Sequence, residues 1–561
     1  MFLLTNLFSI TIMVVCRDAR PCFFFFSSNR AYIYFEGMTR MNKNRIRMAA
    51  VLCSLLACSV LGVSSAHAEY RLDKLEILQS KADGIIPGEY YLGSKVEEIS
   101  WGRLPNRNTK PIITIPSGAT ITIDAVSHEG ILEDQGLDPI KYFGKYGVPA
   151  EQVLADALAI AKNKKGHNFD KDGPHIVTGP IAIEGAEPGD VLKVEVLSLV
   201  PRVPYGVITN RHYKGCLVGE FPEGLKRLPD ASPLEPDKYG NVSIFTPIKK
   251  IDGYWYGYFA NNGREIKFPI SPFLGIMGVA PNTDESWSSV PPARIGGNID
   301  INEMGVGSTL YLPIEVKGAN FFTGDPHFVQ GDGEVALTAL EGSLRGTLRL
   351  TVLKKGSAEI PATNSTSLVA PFGETEKYWI PVGLNEDLDE AMKQAVRESI
   401  SFVSKQLGIE RRLVYAYLSA AVDYEVSQVV DKTKGIHGLI PKADFISMLN
   451  LKLSAGDKTL PVSLFNNSFY IPAKPIITAL GIDSKLTNKK STVTVNGKAI
   501  SFAVDSNKYV CGDEAIYKPY SPVLINGELM LPVAVLSDVF GVSVNWSTAS
   551  NSIIGKAVLL K

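Results

Sequence analysis

The sequence predicts a mainly β chain with α+β elements, closed by a small C-terminal α+β repeat domain. Three observations carry this. Strand patterns recur across residues 110–355 with Gly- and Pro-rich loops between them. Helical spacing is confined to a few segments. A strand–Pro–helix unit occurs twice near the C-terminus.

Taken in order, residues 41–68 have the three parts of a secretory signal peptide: basic Lys43, Arg45 and Arg47, an apolar run from Met48 to Val63, and the small-x-small site Ala66-His67-Ala68. The run is shorter than the ~20 apolar residues a membrane span needs. Residues 1–40 put further apolar stretches in front of it and read as a misassigned start, with Met41 or Met38 as the true one. Export to a secreted or cell-surface location follows, with cleavage near Ala68. Four of six cysteines lie before that point, leaving Cys216 and Cys511. Neither belongs to a CxxC pair, which excludes a thiolate zinc site, and cores rather than disulfides must stabilise the chain.

Next, IITIPSGATITID from Ile112 alternates around a Pro-Ser-Gly turn, and residues 149–164 have helical spacing that predicts one helix. HIVTGPIAI and DVLKVEVLSLV are strands separated by a turn over residues 184–189, and TLYLPIEV, VALTALEG and GTLRLTVL continue the β pattern. Asn385 to Leu407 opens with acidic residues, as a helix N-terminus prefers, and Arg411 to Ala421 predicts a second helix. The last segment repeats: a strand ending at Pro472 and a short helix capped at Gly481 recur sixty residues later at Pro532 and Gly541. Three divisions result: 1–68, 69–445 and 446–561.

Composition narrows the function. Lys+Arg at 57 against Asp+Glu at 58 leaves no basic surplus for nucleic acid, and 45% hydrophobic residues exclude a disordered chain. No Gly-x-Ser-x-Gly elbow, phosphate-binding loop or nucleotide fingerprint is present. His, carboxylates and Gly concentrate instead in three stretches: Asp124 to Gly130 with His128 and Glu129; His175 to Asp190 with Glu184; and Gly296 to Glu334 with Asn298, Asp300, Asp325, His327 and Gln330. Gly permits close approach of backbone to a small ligand, and neutral imidazole with carboxylate suits a divalent transition metal. A metal with an open position activates water and polarises a carbonyl, which is what hydrolysis of an unactivated amide needs. Cys216 is the alternative nucleophile, but with no base visibly paired with it the favoured reading is a buried, inert cysteine. His437, in Gly-Ile-His-Gly, equally suits a structural role.

At HIVTGPIAIEGAEPGDVLKVEV, GGNIDINEMGVGSTLYLPIEVKGANFFTGDPHFVQGDGEV and VDYEVSQVVDKTKGIHGLIPK the chain resembles the acetamidase/formamidase family, over roughly residues 70–445. The resemblance implies an acetamidase/formamidase-like β-rich fold, hydrolysis of a small linear amide to carboxylate and ammonia, a homo-oligomer, and a divalent metal, zinc or calcium. By motif position it implies Asp300, His327, His175, Asp124 and His128 as metal ligands and Glu334, Glu184 and Asp325 as catalytic carboxylates. Asn298 and Gln330 would bind the amide. A catalytically silent exported binding protein on the same fold is the competing reading. The C-terminal repeat resembles the copper amine oxidase N-terminal domain. Because the last His is His437, no copper site is expected there, and the domain is expected to serve cell-wall or surface association, spacing or oligomerisation.

Overall fold

The computed structural model describes residues 77–79 and 84–559, except 262, 362–367, 467 and 550–551, together with four short strands within residues 2–34. Residues 1–69 and 70–561 are separate units. The signal-peptide reading over 41–68 lies outside the described residues. The larger unit is mainly β, as its sequence predicts. Among the described residues no helix is long and apolar enough to cross a membrane.

Two large sheets form the main body of this unit. A nine-stranded sheet runs, edge to edge, through Asp423–Gln428, Lys434–Pro441, Tyr378–Asn385, Phe372–Glu374, Thr309–Pro313, Val191–Pro201, Leu344–Leu353, Thr120–Ala125 and Tyr90–Leu92. The second sheet has at its centre Leu340–Glu341, Phe321–Val329, Phe273–Val279 and Gly296–Asn298, with Ile176–Ile183 also paired to Phe321–Val329. Buried Val, Ile, Leu and Phe from both sheets form one cluster, including Ile121, Ile181, Leu192, Val194, Ile276, Phe321 and Leu348. Removing such side chains from water is the main term favouring this arrangement. Strands such as Ile176–Ile183 and Phe273–Val279 are buried along their whole length, which is why their sequences read as continuous apolar runs rather than alternation.

The strands Ile113–Ile115 and Thr120–Ala125 flank the Pro-Ser-Gly turn as predicted but join different sheets. Residues 149–164 do not form one helix. A 3₁₀ turn covers Ala150–Gln152, the backbone is extended at Val153 and Leu154, and the helix is Ala155–Asn163. The break has a physical cause. Val153 and Leu154 are buried in the core, and the Gln79 amide takes the freed backbone groups, accepting from Ala155 N at 2.8 Å and donating to Val153 O at 3.0 Å. Leu388–Leu407 is helical as predicted, with Asp387 accepting from Glu390 N as its N-cap and Gly408 in the left-handed conformation at its end.

The C-terminal repeat packs on itself. Strands Ser468–Pro472 and Glu528–Pro532, one from each copy, pair antiparallel with Ile471 opposite Leu531, and each leads into a short helix. The hairpin Val542–Ala549/Ser552–Leu559 is joined to the main body by buried hydrogen bonds. Asn545 Nδ2 donates to Ser308 O at 2.7 Å, Trp379 Nε1 donates to Thr548 Oγ1 at 2.6 Å, and Thr548 Oγ1 donates to Glu374 Oε1 at 2.8 Å.

Candidate active site

The strand Phe273–Val279 organises the site because it lies between two of its sources. Gly275 O accepts from Ile299 N at 3.1 Å, fixing the turn that presents Asp300, and Leu274 and Ile276 pair with Pro326 and Gly324 on the strand bearing Asp325 and His327. A Cβ at Gly275 would stand 2.7 Å from Asp325 Oδ2 and 2.9 Å from His327 Cε1, and would also strike Asp300 Oδ1, so only glycine leaves room for all three. Asp300, Asp325 and Glu334 all have left-handed backbones, with φ of 48°, 50° and 47°. L residues hold that conformation at a cost, and three carboxylates held so in one site indicate that their placement is over-determined by the surrounding fold.

These residues converge. Ligand atoms of Asp300, Asp325 and His327 lie within 4.8 Å of one another, as do those of His128, His175 and Asp325, of His327, Glu334 and Glu341, and of Asp300, Glu334 and Asp431. All eight residues are buried. His327 Nε2 is 3.0 Å from Asp325 Oδ2 and 3.1 Å from Glu341 Oε1, the latter from the strand opposite it. His175 Nδ1 is fixed 2.9 Å from Ser289 Oγ, and His128 Nε2 is 3.3 Å from Glu129. Glu129 is itself held by Arg211 at 2.8 Å and by Thr209 at 2.6 Å. A cavity of about 410 Å³ opens onto His128, His175, Asn298, Asp325, Glu334, Glu341 and Asp431, with Lys214 and Lys432 also in its wall.

Burial and like charge dominate the electrostatics. Burial, reinforced by Glu334 and Asp431, pushes Asp300 well above the carboxylate range, and burial with Asp431 does the same to Glu334. Burial raises Asp431 and Glu341 to about 7. Asp325 goes the other way: burial opposes its charge, but His175 and His327 outweigh burial and hold it ionised. Burial lowers His175 to about 4, leaving it neutral at pH 7, whereas His327 is raised because Glu341 and Asp325 outweigh burial.

The acetamidase/formamidase family model matches residues 161–287 and 282–446, just over half of the chain. The chain belongs to the acetamidase/formamidase family. A copper amine oxidase N-terminal domain model matches residues 457–554. The chain is 26% identical over 298 residues to a formamidase from Methylophilus methylotrophus, covering 46% of this chain and 73% of that one. It is 28% identical over 263 residues to a putative formamidase from Schizosaccharomyces pombe (40% and 64%) and 27% over 199 residues to an acetamidase from Mycolicibacterium smegmatis (29% and 49%). Among solved structures, acetamidases from Bacillus halodurans and Yersinia enterocolitica align with TM-scores of 0.48 and 0.47 at 22% and 24% identity. They cover 64% and 63% of this chain and 99% and 92% of theirs.

Within this family member, the structure brings together Asp300, His327, Asp325, His175, His128 and Glu334, and puts Asn298 in the cavity wall. Three sequence expectations need correction. Asp124 is not a ligand: both its oxygens are engaged in a buried pair with Arg345, at 2.6 and 2.9 Å, and Tyr91 donates to it at 2.7 Å. Glu184 is exposed on the turn after Ile183, away from the cavity lining. Gln330 spends its amide NH₂ on Asp300 O at 3.0 Å and Ser427 O at 2.9 Å, so it braces two loops rather than lining the cavity. Cys216 is exposed rather than buried and is not among the lining residues. Glu341 and Asp431 join the site without having been singled out by any motif.

The cluster fits a divalent cation. Both oxygens of Asp300, Asp325 Oδ1, Glu341 Oε2 and the Nδ1 atoms of His128 and His327 are buried without a hydrogen-bond partner, and the Nε2 atoms of the two rings meet only carboxylates. Each such group costs about 1–3 kcal/mol if left unsatisfied, more when charged. His128, His175 and Asp325 offer the nitrogen and oxygen donors zinc accepts, while Asp300, Glu334 and Asp431 offer only oxygen, the preference of calcium.

Proposed function

We propose that the chain hydrolyses the C–N bond of a small linear amide of the formamide or acetamide type to carboxylate and ammonia. The observation that carries this reading is that His128, His175, Asp325, Glu334 and Glu341 line one cavity, with Asp300 and His327 buried directly against them. His128, His175, Asp325 and His327 are the residues proposed to hold a zinc ion, or Asp300 with its neighbouring carboxylates a calcium ion. Such an ion would supply Lewis-acid polarisation of the amide oxygen and lower the pKa of an adjacent water towards 7. Glu334, in the cavity wall, would take the proton of the attacking water once a bound cation offsets the burial and neighbouring carboxylates that otherwise keep it protonated. Asn298 positions the substrate: its Nδ2 is spent on Asp431 at 2.9 Å, which leaves Oδ1, otherwise unpartnered, to accept from the amide NH₂. Asp431, raised to about 7, is protonated often enough at neutral pH to donate to departing ammonia.

The test is ammonia release from formamide and acetamide by the purified chain, before and after chelation and reloading with zinc or calcium. Release from either amide is expected, falling on chelation and returning with metal. No release under any metal would refute the substrate assignment, and full activity after stripping would refute the metal role. Export through residues 41–68, surface association through residues 457–554 and a homo-oligomeric state complete the proposal. Cell fractionation and sedimentation are the measurements that decide them.

A further inference from the structure

A second ligand-like cluster lies outside the cavity lining. His437, fully buried, stands opposite Glu425 on the antiparallel pair Asp423–Gln428/Lys434–Pro441. Its Nε2 is 3.1 Å from Glu303 Oε2 and 3.5 Å from Glu425 Oε2. Its Nδ1 is held 2.8 Å from Ser427 Oγ, the arrangement that fixes a ring and aims its other nitrogen at a metal. At these distances neither carboxylate meets Nε2 with hydrogen-bond geometry, and Nε2 and Glu303 Oε2 are both shielded from solvent. Asp332 lies beside the cluster, hydrogen-bonded to Glu425 and within the field of His437 and Glu303.

We propose that His437, Glu303 and Glu425, with Asp332 beside them, form a second divalent transition-metal site, separate from the cavity cluster, that clips together the loops carrying the active site.

Charge and geometry favour a metal over a proton on His437. One N–H points along one line, whereas two carboxylate oxygens converge on this nitrogen. Three carboxylates with one imidazolium retain two negative charges, and with a neutral imidazole and a divalent ion they retain one. The partial exposure of Glu303 and Glu425, at 18% and 33%, gives an ion a way in. One imidazole with carboxylates suits zinc or a similar ion. The position explains the use. Glu303 follows Asp300 by three residues, Asp332 precedes Glu334 by two, and Glu425 and His437 bracket Asp431. An ion here fixes all three segments from behind, where Gln330 already bridges Asp300 and Ser427.

The experiment is zinc binding by the full chain. Protein stripped by chelation is incubated with ZnCl₂, gel-filtered, and its zinc per chain measured alongside its thermal melt. His437→Gln and Glu425→Gln are each expected to bind one zinc fewer than the parent and to lose part of the zinc-induced rise in Tm, while Asp325→Asn keeps this zinc. The readout is the difference between parent and variant, so it stands whether or not the cavity cluster takes metal or hydrolyses amides. If His437→Gln does not fold, Glu425→Gln, at a partly exposed position, decides alone. A zinc count and melting shift equal to the parent's overturn the proposal and leave His437 a protonated ion-pair partner.

Discussion

Gly275→Ala isolates the placement of the cluster from its chemistry. Gly275 is mid-strand with an ordinary extended backbone, so alanine fits its φ and ψ, and the perturbation is purely steric. The new methyl would lie 2.7 Å from Asp325 Oδ2 and 2.9 Å from His327 Cε1, against an ordinary contact starting at 3.4 Å. The carboxylate must retreat by about 0.7 Å and the ring by about 0.5 Å, at or beyond the ~0.5 Å within which a catalytic constellation must be held. Overpacking a filled interior costs about 1–3 kcal/mol, and a displacement approaching 1 Å costs up to ~10²-fold in rate. The expected result is kcat/KM for amide hydrolysis reduced about 10- to 100-fold with a folded protein of modestly lower Tm. Gly278→Ala is the control. Because its methyl would meet Phe322 Cζ at 2.6 Å and also Gly297 N at 2.7 Å, beside Asn298, it should lose comparable stability and a smaller part of its rate, since Asp325 and His327 keep their places. Wild-type kcat/KM in Gly275→Ala, or equal rate losses in both variants, would refute the reasoning.

Glu334→Gln keeps the shape of the site and removes its proposed base, so kcat should fall by about 10²–10⁴ with little change in Tm, in an ammonia assay paired with a thermal melt. Asp124→Ala should act oppositely: breaking its buried pair with Arg345 costs about 3–5 kcal/mol in denaturant unfolding, while metal content per folded chain stays at the parental level. Glu129 gives a pH signature. Burial disfavours its charge, but Arg211, His128 and Thr209 together outweigh burial and lower it from 4.5 to about 2. Its contribution to stability is therefore complete above pH 4.5 and lost as pH falls through 2. Unfolding free energies of the parent and Glu129→Gln, measured across pH, should differ by a constant amount above about pH 5 and converge below it.

The sequence made some of these features legible and hid others for definable reasons. Stretches rich in Gly, His and Asp announce themselves, because short-reach ligands beside Gly are uncommon in plain strands: His128, His175, Asp300 and Glu334 stand in such loops or at their edges, and Asp325 and His327 follow Gly324 inside a strand. Glu341 is hidden because it sits in VALTALEG, which reads as an ordinary strand. Its role comes from lying across from His327, and only the register supplies that. Asp124 misleads for the same reason in reverse. It has the local signature of a site carboxylate, but its cross-strand partner is Arg345, 221 residues away. Gln330 belongs to the right loop and points its donors backward. Each error concerns what stands opposite a residue, and local periodicity carries no information on that. The C-terminal repeat is legible because its two copies pair with each other, so the relation is written twice in one stretch of chain.

The C-terminal module adds more than an appended surface. Trp379 is fully buried in the strand Tyr378–Asn385, and its indole N–H is satisfied by Thr548. Thr548 also donates to Glu374, which accepts from Lys442 Nζ at 2.7 Å and from Tyr311 Oη at 2.9 Å. This network ties the edge hairpin of the module to the sheet from which Asp423–Gln428 and Lys434–Pro441 extend. Those strands carry Glu425 and His437 and flank Asp431. Lys442 and Glu374 are a fully buried pair, and the Thr548 hydroxyl is the module's contribution to satisfying it. The segment matched by the copper amine oxidase N-terminal model therefore completes the main body's own core, and any role it plays at a cell surface must be compatible with that packing.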